Sequence, residues 1–128
     1  MCLLDSDIII DIQRGHAPAV AWFSTLTELP CVSSLVVMEL IQNAQNKAQV
    51  EQVLKILKPL PVVFASEADP QRALDDYKSF HLSHRLGLLD ALIAATAIGL
   101  GATLCTFNLK HYRMIPDLIT EQPYSRTP

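Results

Sequence analysis

The stretch Cys2-Leu3-Leu4-Asp5-Ser6-Asp7-Ile8-Ile9-Ile10-Asp11-Ile12 decides the fold. Its first three residues form an apolar run, the pattern of a central strand in a parallel sheet. The run stops at Asp5. Beyond it Ile8, Ile9, Ile10 and Ile12 recur around Asp7 and Asp11, and Gly15 closes a first helical stretch.

Outward from this unit, strands and helices are expected to alternate. Pro18 suits the first turn of a helix over 18–29, where its missing donor costs nothing, and Pro30 stops it. Cys31-Val32 reads as a second strand, with Ser33 or Ser34 capping a helix over 35–44. A helix over 45–58 carries Val50, Val53, Leu54 and Leu57 at helical spacing. Pro59 and Pro61 flank a strand at 62–64, and Ser66 or Asp69 caps a helix to residue 79. Residues 81–87 read as a polar, basic loop. A helix over 88–98, a turn at Gly99 and Gly101, and a strand over 103–106 follow. The tail, about 121–128, is expected to trail over the surface after one short edge strand at 118–120. This alternation predicts one α/β domain over 1–128, a mostly parallel sheet of 4–5 short strands flanked by helices.

Composition excludes several function classes. A chain of 128 residues, half of them apolar, suits one core. Ten Lys plus Arg against thirteen Asp plus Glu give a net charge of −3, which excludes a polybasic binder of nucleic acid. Cys2, Cys31 and Cys105 are odd in number and widely spaced, so they are expected to be buried thiols of a cytoplasmic protein. No basic stretch precedes the first apolar run, so no secretory signal is expected. Residues 91–107 carry no formal charge but are too rich in Ala, Gly and Thr for a membrane span.

The carboxylates carry the functional signal. Asp5 ends an apolar run; Glu39 stands alone within Leu35-Val36-Val37-Met38-Glu39-Leu40-Ile41; Asp90 stands alone within Leu88-Leu89-Asp90-Ala91-Leu92-Ile93. An unpaired carboxylate in apolar surroundings costs several kcal/mol. Helical neighbours offer Glu39 no compensation, since positions 35, 36, 42 and 43 are Leu, Val, Gln and Asn. Asp90 is equally bare, with Leu86, Gly87, Ile93 and Ala94 at those spacings. In an open parallel sheet, strand C-termini and the helix starts after them share one crevice. All three acids are expected to meet there around a divalent cation. An all-oxygen set favours Mg2+ or Mn2+ over zinc and suits attack of an activated water on a phosphodiester. Taken singly, Asp90 is also a common helix-start residue, Asp5 a strand end and Glu39 an exposed-face residue.

Four blocks resemble the PIN-domain family. These are Leu3-Leu4-Asp5-Ser6-Asp7 with Arg14-Gly15, Ser33-Ser34-Leu35-Val36-Val37-Met38-Glu39-Leu40, Leu89-Asp90-Ala91-Leu92-Ile93-Ala94-Ala95, and Thr106-Phe107-Asn108-Leu109-Lys110-His111-Tyr112. They occur in the family's order over most of the chain. The compact length is similar to the VapC-type toxins of bacterial toxin–antitoxin pairs. The resemblance implies a Mg2+- or Mn2+-dependent endoribonuclease, cytoplasmic, held by a cognate antitoxin, and a homodimer or a toxin–antitoxin hetero-oligomer. It makes Asp5, Glu39 and Asp90 the metal ligands and Asn108 the fourth catalytic position, often Asp in relatives. It gives Asp7 a place orienting Asp5 or binding through water, with Ser6 and Thr106 as hydroxyl donors around the carboxylates.

Weaker candidates complete the reading. Arg14, Arg85, Lys110, His111 and Arg113 are candidate RNA-phosphate contacts or plain surface charge. His81 and His84 form a candidate metal pair; Trp22 and Phe23 are expected in the core or an antitoxin groove. Two other functions remain open: a non-catalytic PIN-like module that binds RNA or a partner, and a haloacid-dehalogenase-like phosphatase built on Asp5-Ser6-Asp7. The second lacks a Thr at position 9, which is Ile, and its acidic pair Asp75-Asp76 falls in a helix rather than after a strand.

Overall fold

A computed structural model of the chain, which describes residues 1–126, bears out the α/β reading. The elements are β1 (Cys2–Leu4), α1 (Ser6–Gln13), α2 (Ala17–Ser24), β2 (Cys31–Ser33), α3 (Ser34–Asn43) and α4 (Lys47–Leu57). β3 (Val62–Val63), α5 (Ala68–His84), α6 (Leu88–Leu100), β4 (Thr103–Cys105), α7 (Leu109–Tyr112) and β5 (Thr120–Glu121) follow.

The five strands form one sheet in the order β3-β2-β1-β4-β5, with every pair parallel. Leu3 and Leu4 of β1, Val32 of β2 and Leu104 of β4 are fully buried, as the central apolar runs require. The chain builds outward from β1 to β2 and β3, then crosses to add β4 and β5 on the other side. The switch point therefore lies between the carboxyl ends of β1 and β4, where Asp5 N–H donates to the Cys105 carbonyl at 3.0 Å.

Helix α6 is the most buried helix face, with Ala91 and Ile93 through Ala97 sealed between the sheet and its partner α5. Gly99 permits the close approach of these two helices, because a Cβ there would run into the Asp69 carboxylate at the start of α5. Gly101, at φ +65°, then ends α6 in the left-handed cap that glycine favours.

Four expectations need correction. Residues 81–84 belong to α5, not to a loop: Ala73, Tyr77 and Phe80 turn one face of that helix to the core, and the ending waits for Arg85 in a left-handed cap. Helix α2 ends at Ser24 rather than residue 29; Ser24 and Thr25 hydroxyls each bond back to a carbonyl three residues earlier. Cys2 and Cys105 are joined as a disulfide instead of lying as thiols, since the β1–β4 register sets them on one sheet face with Cα atoms 6.4 Å apart. Cys31 stays free and buried. Finally, the tail does not trail away. β5 sits at 120–121 rather than 118–120, and Tyr124 then packs on the rings of His16, Trp22 and Phe107. The tail expectation for positions 127 and 128 lies outside the described residues. Among those residues no helix is long and apolar enough to cross a membrane.

Candidate metal centre

Each acid reaches the switch point from a different element. Asp5 leaves β1 and caps α1, its Oδ1 accepting from Ser6 N–H at 2.8 Å. Its other oxygen, Oδ2, accepts from the Thr106 hydroxyl at 2.9 Å and faces the Tyr112 hydroxyl at 3.0 Å. Asp5 is 3% exposed, so these donors replace the water it has lost. Asp90 lies in the first turn of α6, with Oδ1 3.1 Å from the same Tyr112 hydroxyl and Oδ2 3.4 Å from His111 Nδ1. Tyr112 thus bridges two carboxylates with one hydroxyl proton, which serves one of them at a time. Asp7 accepts from Phe107 N–H at 2.8 Å.

Electrostatics mark the group as short of positive charge. Burial, then Asp5 beside it, pushes the Asp7 carboxyl up to about 6. Burial raises Glu39 as well; the Ser6 side chain pulls it down, while Asp5 and Asp90 push it up. Asp90 is raised by burial and Asp5 against the pull of Tyr112 and His111. Burial and both carboxylates push Tyr112 upward, so it stays a neutral donor. Glu39 Oε1 and Asp7 Oδ1 are buried oxygens without a hydrogen-bond partner. Among the described residues no lysine or arginine is ion-paired to Asp5, Asp7, Glu39 or Asp90; His111 is the ionic partner of Asp90, and Arg126, paired to Asp11, only draws Asp7 down from across a shared hollow. These residues do not form a preassembled cluster of three close ligands. A hard cation fits the donor set, since orphaned carboxylate oxygens are what it binds.

The other sequence candidates divide. Thr106 is buried and donates to Asp5; Ser6 supplies a backbone donor to Asp5 and acts on Glu39. Asn108 caps α7 with its side chain exposed and no hydrogen bond from that side chain to the acids. Arg85, Lys110, His111 and Arg113 line one hollow beside Asp90, whereas Arg14 lies away from it in a hollow with Asp7, Asp11, His16 and Arg126. His81 Nδ1 meets the Leu86 carbonyl at 3.0 Å and His84 sets its ring edge on Phe80, so neither is poised as a metal pair. Trp22 and Phe23 pack against the core. Asp76 is ion-paired to Arg72 on α5, which removes the acidic pair a phosphatase reading needs. Tyr112 is the functional residue that sequence reasoning missed. Its signal was weak, one aromatic among Lys110, His111 and Arg113.

Comparison with known proteins agrees with this fold. The chain is 34% identical over 120 residues to Ribonuclease VapC10 of Mycobacterium tuberculosis, covering 92% of this chain and 90% of that one. Its fold superposes on VapBC2 from Rickettsia felis, solved bound to a DNA fragment from their promoter, with TM-score 0.77, 26% identity and coverage of 94% and 96% of the two chains. It superposes on a toxin–antitoxin complex from Klebsiella pneumoniae with TM-score 0.78, 25% identity and coverage of 98% and 99%. The PIN domain model matches residues 2–115, a span that takes in every acid gathered at the switch point, and the chain belongs to that family.

Proposed function

We propose that this chain is the toxin of a toxin–antitoxin pair and an endoribonuclease that hydrolyses RNA phosphodiester bonds with Mg2+ or Mn2+. One observation carries the reading: buried Asp5 and half-buried Asp7, Glu39 and Asp90 share the switch point, two of their oxygens lack partners, and among the described residues no Lys or Arg is paired to them. The activity named for its relatives, together with the metal dependence general to PIN-domain ribonucleases, gives that deficit a use.

Asp5, Asp90 and Glu39 would hold the cation, with Asp7 orienting Asp5 or reaching the ion through water. Bound there, the cation supplies Lewis acidity and an activated water for attack on phosphorus. The chain's own residues position the ligands. Ser6 N–H and Thr106 fix both oxygens of Asp5, and Tyr112 spaces Asp5 from Asp90. Asn108, as a neutral fourth position at the rim, would lower the site's charge and favour approach of a polyanion. The deficit also suits inhibition, because a partner's cation can fill it; a cognate antitoxin is the partner that the toxin–antitoxin neighbours suggest. Its substrate places its action in the cytoplasm.

The test is cleavage of total RNA by the purified chain with Mn2+ or Mg2+, with EDTA, and beside Asp5→Ala. Discrete fragments that require both metal and Asp5 are expected. No cleavage, together with no growth arrest on expression, would overturn the reading in favour of a non-catalytic module.

A further inference from the structure

We propose that the hollow between the end of α5 and α7 is a subsite for a non-scissile phosphate of single-stranded RNA. This rests on the nuclease reading and names how the strand is held. The hollow measures about 370 Å3 and is lined by Ser83, His84, Arg85, Lys110, His111 and Arg113. Every lining residue is polar, none is acidic, and three are permanent cations. In a chain of net charge −3 with only ten Lys and Arg, this is a marked concentration.

Clustering separates this group from ordinary surface charge, since among the described residues Arg14, Lys47, Lys55 and Lys58 also lack an ion pair but do not line this hollow. Arg72 is paired with Asp76 and Asp117, Lys78 with Asp75, and Arg126 with Asp11. Among the described residues Arg85, Lys110 and Arg113 have no ion pair and no side-chain hydrogen bond. Helix ends favour cations, and each lies at or just beyond a helix C-terminus. That accounts for single residues, but not for three unpaired cations facing one cavity, which repel one another unless an anion joins them.

Position then selects the ligand. His111 lines the hollow and also lies 3.4 Å from Asp90, so the cavity borders the acidic centre directly. A polymer of phosphates can put one phosphate at the acids and a neighbouring one here; a small anion has no reason to use both. The cations also offset the repulsion between a carboxylate-lined centre and an incoming polyanion. Arg14 stands outside this subsite.

The experiment measures binding of a labelled single-stranded RNA oligonucleotide in EDTA over a range of salt, so that metal and cleavage do not enter. The full chain is compared with the triple variant Arg85→Gln/Lys110→Gln/Arg113→Gln and with the control Lys47→Gln/Lys55→Gln on α4. His111 is kept because it touches Asp90. The triple variant is expected to lower the slope of log affinity against log salt by about 0.7, the value of one single-strand phosphate contact. The control keeps the slope. KM for RNA cleavage rises in the triple variant, while thermal unfolding of all chains coincides. An unchanged slope in the triple variant overturns the subsite and leaves the nuclease reading standing if the full chain still cuts RNA. A loss confined to duplex DNA also overturns it, since the cations would then serve a different polymer. Absence of metal-dependent cleavage by the full chain counts against the nuclease reading instead.

Discussion

Two groups of acids in this chain each hold a sealed carboxylate and differ by what answers them. On α5, Asp76 is 6% exposed and bonds Arg72 at 2.8 Å, while Asp69 accepts from Ser66 N–H at 2.8 Å. At the switch point, Asp5 is 3% exposed beside Asp7, Glu39 and Asp90, with hydroxyl, amide and imidazole neighbours but no Lys or Arg paired to any of them. The first group is complete within the chain and serves the fold. The second is left short of charge. Burial of a carboxylate alone therefore does not mark a site, and nor does the lack of a cation at one acid such as Asp69; several acids gathered at one point with no Lys or Arg paired to them do.

The sharpest way to break this comparison is Asp90→Asn. Cleavage is expected to fall by more than about 100-fold, beyond what loss of an outer partner costs, while thermal unfolding shows a folded protein. An active or unfolded variant contradicts the assignment. Asp76→Ala should do the reverse. Arg72 loses its main partner but keeps Asp117 and remains 27% exposed, so the cost is about 2 kcal/mol rather than that of a sealed pair. Urea unfolding measures it, and cleavage per folded molecule stays unchanged.

Tyr112→Phe removes only the hydroxyl between Asp5 and Asp90. Mn2+ affinity, measured by calorimetry, is expected to drop about tenfold with the fold intact. Equal affinity would show that Thr106 and Ser6 suffice to place the ligands. The smallest effect concerns Asp7, whose carboxyl is raised from 3.8 to about 6. The folded state then holds the proton more tightly than the unfolded state, so this group lowers stability as pH rises through that window. In EDTA, Asp7→Asn should melt higher than the parent at pH ~7.5, by about 1–3 kcal/mol, and the gap should close near pH ~4. A gap independent of pH contradicts the charge deficit.

Much of this contrast was legible before the structure. Asp5, Glu39 and Asp90 stood out because they interrupt apolar runs without a basic residue at helical spacing, and that local fact survives folding. The sheet was legible for the same reason, since Leu3, Leu4, Val32 and Leu104 are buried by strands that read as strands. What escaped depends on contacts distant in sequence. Tyr112 lies in a basic run, and only the approach of α7 to β1 and α6 buries it against Asp5 and Asp90. Tyr124 and Arg126 meet Asp11 across more than a hundred residues, which no local pattern announces. The Cys2–Cys105 bond spans 103 residues and follows from strand register. Residues 81–84 read as loop because their polarity masks a helix held by Tyr77 and Phe80.

The most direct test of the central claim is calorimetric titration of Mn2+ into the full chain, Asp5→Asn and Asp76→Asn. The account predicts binding by the full chain and by Asp76→Asn, and loss of it in Asp5→Asn. Binding that survives in Asp5→Asn, or vanishes in a folded Asp76→Asn, would contradict the assignment of the unanswered acids as the metal centre.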